Sequence, residues 1–80
     1  MSNAIYYSQE LIAILQPGKK VKLFYSKGNP NNELRHILAI VDDEYIVYKV
    51  WRTHKQRWHY RVDSIYGFHS DFEDGNLKSA

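Results

Sequence analysis

The sequence predicts an all-β domain in which five strands close into a small barrel behind one short helix. Three observations carry this. The stretch from Asp42 to Val62 is β-branched or aromatic almost throughout and reads as a hairpin, the composition that suits a pleated, half-buried surface and lowers helix propensity. At Pro17-Gly18 the hydrophobic period changes from helical to alternating. Turn-forming clusters then divide the chain into helix, strand, long loop, strand, tight turn, strand, loop, strand, short turn and short strand, and a sheet of that kind protects its edges by closing on itself.

Residues 1–7 carry little information, and the triplet Ser2-Asn3-Ala4 reads either as a tag remnant or, given the Met before it, as native sequence. The domain is expected over residues 8–69. Its helix, residues 8–16, has Ser8 as N-cap, Glu10 in the first turn where the helix dipole favours an acid, and Leu11, Ile12, Ile14 and Leu15 as an apolar face. So short a helix is not stable alone, so Leu11, Ile14 and Leu15 are expected to pack on the barrel and close one end.

In the first strand Val21, Leu23 and Tyr25 alternate with Lys20, Lys22 and Ser26. Lys27-Gly-Asn-Pro-Asn-Asn-Glu33 is a loop, and Leu34 to Val41 is a second strand whose run from Ile37 is apolar on both faces, which suggests a central position. Asp42-Asp43-Glu44 turns the chain into the hairpin: Tyr45 to Arg52 outward, Thr53-His-Lys-Gln56 as the turn, Arg57 to Val62 back. In the returning arm Trp58, Tyr60 and Val62 are expected inside and Arg57, His59 and Arg61 outside. In the outgoing arm Ile46, Tyr48 and Val50 compete with Tyr45, Val47 and Trp51 for the interior, a conflict that a bulge would resolve. Asp63-Ser64 then reads as a tight turn and Ile65 to Phe68 as a last strand bent at Gly67. Residues 70–80 read as an acidic, partly disordered tail, dispensable for folding from about Phe72 onward.

Eighty residues give one small core, in which a large catalytic cleft is not expected. Without cysteine there is neither a disulfide framework nor a thiolate metal site, and a reducing compartment is compatible. No apolar run is longer than that of Leu11 to Leu15, far too short to span a bilayer, which leads to the expectation of a cytoplasmic protein with no membrane partner. The net charge of +2 is unevenly spread. Lys19 to Val62 carries ten basic and four acidic residues, and Asp63 to Ala80 one basic and four acidic, the asymmetry that brings a polyanion into consideration.

Four histidines, His36, His54, His59 and His69, invite a metal, but their spacing fits no ligand motif. The Asp42-Asp43-Glu44 cluster reads as a solvated hairpin tip, and no phosphate-binding Gly-rich loop is present. No catalytic residue, metal or cofactor is therefore expected. The informative residues are Lys49, Arg52, Lys55, Arg57, His59 and Arg61, interleaved with Tyr45, Trp51 and Trp58. Strand geometry sends Arg57, His59 and Arg61 to one side at a spacing near the repeat of a nucleic-acid backbone, and an exposed aromatic such as Trp51 offers a base-stacking platform. The competing reading makes the arginines the wet face of a sheet and the tryptophans its core, and it is the better one for Trp58.

The helix, Val21-x-Leu23-x-x-x-x-Gly28, Asp42-Asp43-Glu44-Tyr45-Ile46-Val47 and Tyr60-Arg61-Val62-x-x-Ile65 give the chain, over residues 8–68, a layout that resembles SH3-like barrels and above all the Sm-like family, which includes bacterial RNA chaperones. That family's RNA-contacting Lys-His pair has no counterpart here, so the resemblance implies the fold alone. The segment Arg35 to Glu44, with Val47-Tyr-Lys-Val-Trp51 and Gln56-Arg-Trp-His-Tyr60, is similar to small proteins of tailed bacteriophages and prophages, which implies a phage accessory role. The expectation is thus a non-enzymatic module that binds nucleic acid through Lys49, Trp51, Arg52, Lys55, Arg57, His59 and Arg61. The alternative is a module that docks on a host protein, and self-association is left open.

Overall fold

A computed structural model describes residues 7–24 and 34–80. The elements are α1 (Gln9–Ile14), β1 (Lys20–Leu23), β2 (Leu34–Val41), β3 (Tyr45–Arg52), β4 (Arg57–Ser64), α2 (Ile65–Glu73) and β5 (Leu77–Ser79). The strands form one antiparallel sheet in the order β4-β3-β2-β1-β5. The expected loop from Lys27 to Glu33, together with Tyr25, Ser26 and residues 1–6, lies outside the described residues.

Local chemistry explains the boundaries. Ser8 caps α1 by accepting a hydrogen bond from the Leu11 amide, and Pro17 with Gly18, at φ 90°, turns the chain into β1. The β2–β3 turn has Asp42 and Asp43 at φ 55° and 53° and a Glu44 amide to Val41 carbonyl bond of 3.0 Å, a type I′ turn whose twist suits a hairpin. Residues 53–56 connect β3 to β4 with Gln56 left-handed at φ 53°.

Both helices cover one side of the sheet, here called the inner face. Leu11 and Leu15 of the α1 segment and Ile65 and Phe68 of α2 join Val21, Leu23, Ile37, Ile46, Tyr48, Val50 and Leu77 in one core. Within this core the short α1 segment buries two leucines completely, as a helix too short to stand alone must. Ile14 packs against the cluster as a partly buried side chain.

Four expectations are corrected. First, the sheet does not close into a barrel: β4 and β5 are its two edges, and α2 packs against both. Second, residues 65–68 are not a strand but the first turn of α2, with Ser64 Oγ accepting from the Tyr66 amide as N-cap. Third, the chain beyond residue 69 is not a featureless tail but completes α2 and forms β5. α2 ends in paired bonds from the Gly75 amide to the Phe72 carbonyl (3.0 Å) and from the Asn76 amide to the Asp71 carbonyl (2.8 Å), with Gly75 at φ 77°. This Schellman ending aims the chain into β5, which pairs with β1 and buries Leu77. Fourth, Trp58, Tyr60 and Val62 are not core. They face away from the helices, and Tyr60 and Val62 are 62% and 61% exposed.

The register explains the fourth correction. Arg52 pairs with Arg57 and Tyr48 with Arg61, so the inward residues of β3 (Ile46, Tyr48, Val50, Arg52) share their side with Arg57, His59, Arg61 and Asp63. The irregularity that reconciles the apolar runs lies in β2, where Leu38 is extra between the pairs Ile37–Tyr48 and Ala39–Val47. It keeps Ile37 and Ile40 inward on both sides of the bulge.

Candidate nucleic-acid interface

The outer face is built by the outward positions of all five strands. β1 contributes Lys20 and Lys22, β5 Lys78, β2 His36, β3 Tyr45, Lys49 and Trp51, and β4 Trp58 and Tyr60. Among the described outward strand residues none is acidic. The described acids lie elsewhere: Glu10 in α1, Asp42, Asp43 and Glu44 in the turn, Asp63 on the inner side of β4, and Asp71, Glu73 and Asp74 in or just after α2.

At the centre stands a compact aromatic and cationic cluster. Trp51 and Trp58 are paired across the hairpin with ring centroids 5.4 Å apart, edge to face, and His36 meets the Trp58 ring edge-on at 4.9 Å. Lys49 Nζ sits 4.2 Å from the centroid of the Trp58 ring, a cation–π contact that holds the ammonium against the sheet. Trp51 remains 45% exposed while Trp58 is half-buried. Trp58 is thus the floor of the cluster and Trp51 its accessible plate. Burial first, then the charges of Lys20 and Lys49, push the His36 pKa below its ordinary value.

The expected site residues divide between two sides. Lys49 and Trp51 lie on the outer face. Arg52, Arg57, His59 and Arg61 lie on the inner side, where β4 extends past the cover of the helices and leaves Arg57, His59 and Arg61 exposed. Lys55 is exposed in the turn. The row Arg57, His59, Arg61 therefore exists with Arg52 beside it, but Lys49 is behind it across the sheet. The outward residues Lys20, Lys22, His36, Lys78, Trp58 and Tyr60 were not among the sequence candidates. Lys20 and Lys22 were legible as one face of an alternating strand, whereas Lys78 became relevant only through the β1–β5 pairing.

Among the described residues no three His, Cys, Asp or Glu side chains come together as a metal site, and no helix is long and apolar enough to cross a membrane. Comparison with family models, curated proteins and solved structures finds no match to this chain.

Proposed function

We propose that the chain is a non-enzymatic binding module whose outer sheet face takes single-stranded nucleic acid. The observation that carries this is one open sheet face with four lysines, a histidine and exposed aromatic rings, and no acid among its described strand residues. Bases stack on Trp51 and Tyr60 without regard to sequence, and Lys20, Lys22, Lys49 and Lys78 neutralise phosphates, which are the two ingredients of single-strand binding. The arginine row of β4 continues the positive potential round the edge of the sheet. The strand order is the one that pairing β4 to β5 would turn into a five-stranded barrel, the layout expected of Sm-like and SH3-like folds.

Fluorescence titration with single-stranded oligonucleotides at several salt concentrations tests the reading. Each phosphate contact contributes about −0.7 to the slope of log K against log salt, so the Lys20→Ala, Lys78→Ala pair is expected to flatten it by about 1.4. Trp51→Ala is expected to weaken binding by about 1–3 kcal/mol. No association tighter than about 10⁻⁴ M at low salt removes the proposal.

One observation favours a second reading. At the Asp42 end of the outer face Val41, Tyr45 and Val62 form an exposed apolar patch without a cation, which suits a protein partner such as a host factor better than a phosphate backbone. Tyr45→Ala and Val62→Ser separate the two: they spare oligonucleotide binding and abolish the protein contact.

A further inference from the structure

The two edges of the sheet are unlike. β5 is three residues long and carries Lys78, and a short edge with a lysine is one way in which a sheet blunts its rim. β4 runs for eight residues with neither proline nor glycine, and its register with β3 is unbroken, so no bulge twists it away. Among the described residues no strand lies on its outer side. The hydrogen bond from the Ile65 amide to the Glu44 carbonyl (2.8 Å) fixes which groups that side presents. It makes Ile65 and Glu44 a hydrogen-bonded pair, and such pairs alternate along an antiparallel ladder, so Arg57, His59, Arg61 and Asp63 turn their amides and carbonyls toward β3. Trp58, Tyr60 and Val62 turn theirs to the open edge. Among the described large hydrophobic residues Tyr60 and Val62 are also the most exposed.

An unpaired edge of this kind takes another strand, and the side chains of β4 decide which one. Laid antiparallel across a two-fold axis against a second copy, β4 brings edge amides opposite edge carbonyls only when the axis passes through a residue. Two such registers give the longest overlap, residues 57–63 centred on Tyr60 and residues 58–64 centred on Arg61. The second sets Arg61 directly against the partner's Arg61, and like charges in that position repel. The first sets Arg57 against the partner's Asp63 and Asp63 against the partner's Arg57, an ion pair on each side of the axis. Asp63 retains acceptor sites for it, because a carboxylate has about four, and the Tyr48 hydroxyl and Arg61 use only part of them. On the outer side the same register sets Trp58 against the partner's Val62 and Tyr60 against the partner's Tyr60, pairings that stabilise neighbouring strands. His59 faces the partner's Arg61 and adds no attraction.

We propose that β4 pairs with β4 of a second copy of this chain, antiparallel and centred on Tyr60, so that the two sheets run on as one. The outer faces then form a single surface that carries the Lys49, Trp51 and Trp58 clusters of both copies. The contact needs no nucleic acid, so it stands or falls apart from the proposed function. It closes the rim at β4, so a nucleic-acid strand that turns round that rim takes the monomer.

The test is sedimentation equilibrium of the full, nuclease-treated chain. An edge contact is small, so the expected dimer has a dissociation constant between about 10⁻⁶ and 10⁻³ M. Arg57→Glu turns both ion pairs into repulsions and is expected to weaken the dimer about tenfold or more. Tyr60→Lys sets two lysines against each other and is expected to abolish it. Tyr60 is exposed, so this variant keeps the circular dichroism of the parent. The register is read separately by cross-linking. The chain has no cysteine, and directly opposed residues stand about 5.5 Å apart at Cα, within disulfide reach, so Tyr60→Cys is expected to join to its copy on oxidation. Val62→Cys stays unjoined, since the two copies of residue 62 are displaced by about 13 Å along the strand. A chain that stays monomeric at about 1 mM, association unchanged by Arg57→Glu or by a folded Tyr60→Lys variant, or Val62→Cys joining as fast as Tyr60→Cys overturns the proposal.

Discussion

Removing the last six residues should unfold most of this domain's stability margin, although they are polar and terminal. Truncation after Asp74 deletes the Schellman ending of α2 and the whole of β5, and with it Leu77, which is 2% exposed in the core. Leu77→Ala alone is expected to cost about 2–5 kcal/mol, the range for a buried leucine that leaves a cavity. Eighty residues at roughly 0.05–0.15 kcal/mol each give a total of about 4–12 kcal/mol, so one side chain accounts for a large part of it. A domain of this size loses about 4–8 °C in Tm per kcal/mol, so even the lower limit for Leu77→Ala is a drop of about 8 °C. The truncation adds the lost β1–β5 pairing and exposes the Val21 and Leu23 edge, so its drop must be larger still. Urea and thermal unfolding followed by circular dichroism measure both variants, with an unchanged m-value as the check that the same unit is unfolding. A truncated chain that melts within about 2 °C of the parent, a difference of less than about 0.5 kcal/mol, refutes the reasoning and returns residues 75–80 to the status of a loose tail.

Three further outcomes follow. Gly67 sits in the first turns of α2 with open space where a Cβ would go, so Gly67→Ala is expected to stabilise by about 0.5–1 kcal/mol in a urea midpoint measurement. His36 has its pKa depressed in the fold, so the unfolded chain binds the proton first on acidification. Above about pH 6.5 the group contributes nothing, and stability falls as pH drops from there to the folded pKa. The pH dependence of the urea midpoint in His36→Gln should lack that component, and an unchanged profile rejects the assignment. The two tryptophans should also separate: Trp58→Ala removes the floor beneath His36, Lys49 and Trp51 and lowers both Tm and oligonucleotide affinity, whereas Trp51→Ala lowers affinity with Tm nearly unchanged.

The limits of β3 and the start of β4 were legible because β-branched runs end at turn residues that tolerate positive φ, with Asp42 and Asp43 on one side and residues 53–56 on the other. Which face of β4 turns inward was not, because alternation defines two sets of residues and gives no sign. Trp58, Tyr60 and Val62 are the more apolar set, yet the pairing of Arg52 with Arg57 forces them to the side opposite Tyr48. That conflict was present in the sequence: Lys49 and Arg52 differ by three positions and cannot flank one row in a regular strand. α2 was missed because Gly67 reads as a strand bend, but Ser64 as N-cap, the spacing of Ile65, Phe68 and Phe72, and Gly75 just past the end form a complete helical signature. The polar residues around it hid a helix that buries one side only. The candidate site was therefore legible as a list of cations and rings on the hairpin, and not as a surface, since a surface depends on the register and on β5.

Under the proposed function, the division of the hairpin cations between two sides decides which form of nucleic acid fits the surface. β4 is an edge strand, so Lys49 and Trp51 on one side and Arg57, His59 and Arg61 on the other are separated by the thickness of one strand, with open solvent at the rim. A ligand that uses both sets must turn sharply round that rim. Single-stranded nucleic acid bends freely over a few nucleotides, whereas a duplex, with a persistence length of about 150 base pairs, does not. A duplex would therefore be confined to one side, whereas a single strand could engage both. The expected outcome is that Lys49→Ala and Arg57→Ala each flatten the salt dependence of single-strand binding by about 0.7, and together by about 1.4. For duplex only one of the two should matter. Equal sensitivity of duplex binding to both substitutions contradicts the geometry, because it would require a rigid rod to touch opposite faces of the same sheet.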